Sequence, residues 1–235
     1  MPQLDVRRTL IAAVFCVIAL QMPSPTLAQE AYTARGQEPG WVLTIGERGM
    51  VLTTQDGGRF EAARPQAQQM PDGTRYDVTF GGKAVQIAIA PRLCRDTMSG
   101  MPHPDSVTIA GLNGLLRGCG GAPRALLGPG EWAIAEISGA PVLANTMPTL
   151  SFEGDSVFGN GSCNRFRGGF TLTGEALTLR QLASTMMACP EPVMQQEHAL
   201  IRQLEATQRF DIRDDGALVL HDNAGKTLVA VKKGG

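Results

Sequence analysis

The chain has 235 residues, a formal net charge of −1 at neutral pH, 18% charged residues and only 5% aromatics. Without basic runs, that balance offers no electrostatic footprint for nucleic acid. Beyond the first 28 residues no stretch is apolar for long enough to span a bilayer, so the exported product is expected to carry no transmembrane segment.

Arg7-Arg8, the apolar run from Leu10 to Leu20 and the small-residue exit Thr26-Leu27-Ala28 are the three parts of a secretory signal, with cleavage expected after Ala28. A retained anchor is the rival reading; the run falls short of the roughly 20 residues that span a membrane. Cys16 sits inside the apolar run behind Phe15, a poor setting for lipidation. The expected destination is the periplasm, or the envelope more broadly. Residues 29–35 read as a flexible new N-terminus.

Residues 36–121 read as one β-rich domain. Trp41 to Ile45, Met50 to Thr54, Tyr76 to Phe80, Ala84 to Ala90 and Val107 to Leu112 predict short strands. Asp56-Gly57, Asp72-Gly73, Gly81-Gly82 and Asn113-Gly114 supply the residues that tight hairpins need at positive φ. Gly118-Cys119-Gly120-Gly121-Ala122-Pro123 and Gly128-Pro129-Gly130 punctuate the middle, so residues 122–130 read as a linker.

Residues 131–235 repeat the pattern with strands at Trp132 to Ile137, Ser156 to Phe158, Gly169 to Thr173, Leu177 to Leu179, Phe210 to Ile212, Leu218 to Leu220 and Thr227 to Val231. One helix is expected near 191–207: Pro190, Glu191 and Pro192 suit its first turn, and Val193, Leu200, Ile201 and Leu204 recur at helical spacing. Glu197 interrupts that stripe, so its carboxylate is expected at the core and in need of a donor. The fold class is therefore mainly β with one helix (α+β), as two small antiparallel sheet or barrel-like domains.

With Cys16 removed, Cys94, Cys119, Cys163 and Cys189 remain, an even set in an oxidising compartment. Of the three possible pairings, the Pro/Gly-rich break favours Cys94–Cys119 and Cys163–Cys189, with separations of 25 and 26 residues. Zinc is the competing reading, but no C-x-x-C pair is present and His103, His198 and His221 are scattered. No metal or cofactor is expected.

Trp132, Ile137 to Val142, Leu150-Ser151-Phe152, Gly159 to Gly168 around Cys163-Asn164-Arg165-Phe166, Ser184 to Pro190, Met194 and Glu197 together resemble the META domain of HslJ-like bacterial envelope proteins. Gly36 to Trp41, Cys94 to Gly100 and Gly118-Cys119 are similar to a module found beside META domains. The resemblance implies a small β-dominated domain with one helix, an association with envelope stress, and no catalytic chemistry.

Asn164 is expected in a left-handed turn bonding its own backbone. Arg165 and Arg167 could present guanidinium forks to an anionic partner, or Arg165 or the Thr185 hydroxyl could satisfy Glu197 within one polar network. Asp96, Ser99 and His103 are the cluster with hydrolase-like side chains; two prolines stiffen their loop, and capping of the turn beside Cys94 is the preferred role. Met186, Met187 and Met194 are expected to fill the core rather than bind a soft metal. The resulting expectation is a non-enzymatic exported protein that binds or stabilises an envelope protein, wall or membrane component, with Asp96, Ser99 and Arg167 as candidate surface contacts. The alternatives are an inhibitor of an envelope-degrading enzyme, or a hydrolase using Ser99 and His103.

Overall fold

The computed structural model describes residues 31–112 and 114–234. The expected export signal, Cys16 and Asn113 of the Asn113-Gly114 turn lie outside the described residues.

The first half consists of β1 (Tyr32–Gln37), β2 (Gly40–Ile45), β3 (Gly49–Thr54), β4 (Arg59–Ala63), β5 (Gln68–Met70), β6 (Gly73–Phe80), β7 (Lys83–Ala90), β8 (Cys94–Arg95), β9 (Pro102–His103), β10 (Asp105–Ala110) and β11 (Leu115–Gly120). Nine of these strands form an antiparallel sheet in the order β4-β3-β2-β1-β11-β10-β7-β6-β5, and β8 and β9 form a separate ribbon. The sheet curls until β4 lies against β6. Alternation explains the curl: Trp41, Leu43 and Ile45 on β2, and Val85 and Ile87 on β7, point inward, while their neighbours face out.

The second half consists of α1 (Arg124–Leu127), β12 (Glu131–Ile137), β13 (Ala140–Pro141), β14 (Thr149–Glu153), β15 (Ser156–Asn160), β16 (Arg165–Leu172), β17 (Leu177–Ser184), α2 (Glu191–Glu205), β18 (Thr207–Ile212), β19 (Leu218–Asp222) and β20 (Thr227–Lys232). Its sheet runs β17-β16-β15-β14-β12-β20-β19-β18, with β13 on β12 and α2 packed against β17, β12 and β20. The protein is thus mainly β with two near-barrel antiparallel sheets, as the sequence predicts.

Three expectations need correction. Residues 29–35 are not a loose N-terminus over their described part, because Tyr32–Gln37 is a central strand paired with both β2 and β11. Its composition is mixed, but Ala34 and Gly36 are small enough to sit buried beneath the neighbouring strands. The 122–130 segment is not a free linker: Arg124–Leu127 forms a helical turn, Leu127 is fully buried in the second core, and its carbonyl accepts the Trp132 indole N–H at 2.8 Å. Third, the methionines of the β17–α2 connection do not fill the core, since Met186 is 97% and Met187 56% exposed.

The two halves are joined by more than chain continuity. Met101, in the loop between β8 and β9, is 3% exposed and belongs to the second sheet's core. Arg95 donates to the Asp211 carboxylate at 3.0 Å and to the Ile212 carbonyl at 2.7 Å on β18.

Candidate functional site

The cysteines meet as the sequence predicts, Cys94 with Cys119 and Cys163 with Cys189, at Cα separations of 5.3 and 6.5 Å, within the range for disulfides. The second pair ties the loop after β15 to the residues that lead into α2. Glu197 completes that tie. Only 7% exposed, it accepts the backbone N–H groups of Cys163 and Asn164 on Oε1, at 2.7 and 2.6 Å, and the Asn164 side-chain amide on Oε2, at 2.8 Å. Asn164 Oδ1 in turn accepts the Met187 backbone N–H at 2.7 Å and the Thr185 hydroxyl at 2.9 Å. A side chain at Gly161 would be forced against the carboxylate, its Cβ lying 2.7 Å from Glu197 Oε1, so only glycine fits beside it.

This network differs from the expected one in two members. Arg165 contributes only backbone groups, its N–H donated to the Thr185 hydroxyl at 3.1 Å and its carbonyl accepting the Thr185 N–H at 3.0 Å, because Phe166 faces the core and alternation turns the Arg165 side chain outward. Asn164 is not the left-handed residue; that conformation belongs to Ser162, with φ +101°. The network therefore positions the loop after β15 against the residues that lead into α2.

In the first half Asp96 is also 7% exposed. It accepts the N–H groups of Met98 and Ser99 at 3.0 and 2.8 Å, the Ser99 hydroxyl at 3.0 Å and the Gln37 amide at 2.8 Å. Burial alone would raise its pKa, but these donors outweigh burial and hold the carboxyl down at about 2. Ser99 also accepts the Met101 N–H at 3.2 Å, and His103 Nδ1 faces the Gly121 carbonyl at 2.8 Å. Asp96, Ser99 and His103 line one cleft together with Arg35 and Glu175, but Ser99 makes no hydrogen bond to His103. Asp96 is a buried turn-former rather than a surface contact.

The outer face of β15 and β16 has a different character. Arg165 and Arg167 point to solvent two residues apart, and Phe158, 37% exposed, stands opposite Arg167 in register while Asn160 stands opposite Arg165. Neither guanidinium makes a hydrogen bond or ion pair among the described residues, whereas neighbouring carboxylates do: Lys233 holds Glu131 at 2.7 Å and Arg124 holds Asp155 at 2.9 Å. Arg165, Arg167, Phe158, Glu131 and Asp155 line a groove of about 840 Å³ in which Glu153 is the remaining carboxylate. Arg167 was legible in the sequence; Phe158 was not singled out, although its place one residue before Gly159 in an alternating strand puts it on the arginines' face.

The META domain family model matches residues 125–235. No curated protein matches the chain. Two NMR structures are similar to part of it. A protein from Burkholderia xenovorans is 23% identical over 47% of this chain and 86% of its own, with a TM-score of 0.40. The other is 26% identical over 47% of this chain and 93% of its own, with a TM-score of 0.39.

Proposed function

Residues 125–235 form a META domain, and from the two unpaired arginines on the outer face of that domain we propose an exported, non-enzymatic protein that binds an anionic polysaccharide of the bacterial cell envelope. The carrying observation is the pair of unpartnered guanidiniums, Arg165 and Arg167, beside the exposed ring of Phe158. Guanidinium forks match carboxylate or phosphate groups in two-point geometry, and a flat aromatic surface suits the apolar face of a sugar ring. Because Glu131 and Asp155 are already paired, the groove's free charge is mostly positive.

Compartment follows the same direction. Two cysteine pairs at bonding distance suit an oxidising environment, and no helix among the described residues is long and apolar enough to cross a membrane. The hydrolase alternative has less support: the Ser99 hydroxyl donates to Asp96 and accepts from the Met101 amide, which leaves it without the positioned base a nucleophile requires. Resemblance to HslJ-like proteins extends the reading to envelope stress.

The test is binding of the whole protein to polygalacturonate, with dextran as the neutral control. Wild type is expected to bind the acidic polymer in a salt-sensitive way and to ignore dextran. Reversing both charges, Arg165→Glu with Arg167→Glu, should weaken binding at least about tenfold, equivalent to roughly 1.4 kcal/mol, with the melting temperature unchanged. Equal affinity of wild type and the double variant would overturn the proposal.

A further inference from the structure

The curled first sheet has two rims of strand ends, and one of them gathers the chain's only two tyrosines. Tyr32 opens β1 and Tyr76 is the fourth residue of β6; between them is a cavity of about 320 Å³, lined also by Asp105, Arg64, Glu47 and Ile89. That volume is at the small end of the range for ligand cavities.

The charges in this rim are unevenly matched. Asp105 is half-buried and accepts one side-chain hydrogen bond, from the Tyr32 hydroxyl at 3.1 Å. Among the described residues no lysine or arginine pairs with it, nor with Glu47. Arg64 is engaged with neutral oxygens, donating to the Gly46 carbonyl at 3.3 Å and the Tyr76 hydroxyl at 3.1 Å, with its guanidinium 5.7 Å from the centre of the Tyr76 ring. A half-buried carboxylate with a single donor and no counter-ion is costly to maintain. Burial correspondingly raises the Asp105 pKa, only partly opposed by the Tyr32 hydroxyl.

The surrounding backbone is built to leave this pair room. A Cβ at Gly120 would collide with the Tyr32 hydroxyl, and one at Gly121, which also has φ +78°, would lie 3.0 Å from Asp105 Oδ2. Consecutive glycines thus keep a bare wall behind the tyrosine–carboxylate pair.

We propose that this rim binds a small organic molecule through a protonated amine, the ammonium paired with Asp105 and assisted by Glu47, its carbon skeleton against Tyr32, Tyr76 and Ile89. An ammonium supplies both the charge and the hydrogen-bond donors that Asp105 lacks. Two carboxylates against one arginine, itself already held on the Tyr76 ring, make the cavity favour a cation.

The experiment is isothermal titration of the full chain with 1,4-diaminobutane, and with 1,4-butanediol as its neutral counterpart. The diamine should bind and the diol should neither bind nor compete. Asp105→Asn should weaken the diamine at least tenfold and Glu47→Gln severalfold. Glu47 is exposed, so its substitution leaves the fold intact and decides the matter should Asp105→Asn misfold. Absence of diamine binding, equal binding of diol and diamine, or an unchanged affinity in Glu47→Gln would overturn the proposal.

Discussion

Replacing Glu197 by Gln changes one oxygen to an NH2 group and should destabilise the META domain out of proportion to its size. Oxygen Oε1 faces two fixed backbone donors, at Cys163 and Asn164, so the amide oxygen of a glutamine must occupy that place. Its NH2 then confronts the Asn164 amide, donor against donor, where the native Oε2 accepts at 2.8 Å. Flipping Asn164 gives no relief, because its oxygen is needed by the Met187 N–H at 2.7 Å and the Thr185 hydroxyl at 2.9 Å. Only a group accepting at both ends fits. One charge-assisted bond is lost, two others become neutral, and a buried donor is left unmet; at roughly 1–3 kcal/mol for such a defect the sum is about 3 kcal/mol. For a protein of this size that corresponds to a fall of roughly 6–12 °C in melting temperature. Urea unfolding of wild type and Glu197→Gln measures it; a difference under about 0.5 kcal/mol would refute the reasoning.

Further outcomes follow from other contacts. The pKa of Asp96 is depressed to about 2, so its stabilisation is complete above the ordinary carboxylate range near pH 4 and disappears as pH falls toward 2. Asp96→Asn should lower stability at pH 7 by about 1–3 kcal/mol and flatten the loss between pH 4 and 2; parallel pH profiles in denaturant unfolding would count against this. Met101→Ala is expected to cost about 2–5 kcal/mol, and the loss should be seen in amide exchange of β18 and the second core although the substitution lies in the first half. Non-reducing peptide mapping should recover Cys94 with Cys119 and Cys163 with Cys189. Replacing the latter pair by serine should cost about 3.5 kcal/mol for its 26-residue separation in the chain-entropy model.

Strands with inward alternation, such as Trp41-Val42-Leu43-Thr44-Ile45, were legible because every second side chain declares its side. β1 and β11 were not: Thr-Ala-Arg-Gly-Gln and Arg-Gly-Cys-Gly carry small residues whose burial reflects close approach of backbones. Glu197 stood out as a carboxylate in an apolar stripe, but its expected donors were Arg165 or the Thr185 hydroxyl, and the Asn164 amide and the backbone N–H groups of Cys163 and Asn164 that hold it were not legible. The neighbouring Phe166 held the clue, since a core phenylalanine on a strand sends the residues on either side outward. Met186 and Met187 misled for a related reason. The connection is secured by the Met187 backbone N–H and by Cys189, which leaves the thioethers with nothing to cover.

The burial of Met101 in the opposite sheet bears on how this molecule can be dissected. A fragment beginning at residue 125 would retain Leu127 as an anchor yet lose the thioether that seals the flank beside β18. The vacated socket would meet water, so such a truncate should be sticky and less soluble than the intact chain. Co-expressing the missing half, or filling the socket by enlarging a neighbouring apolar side chain, should restore its behaviour.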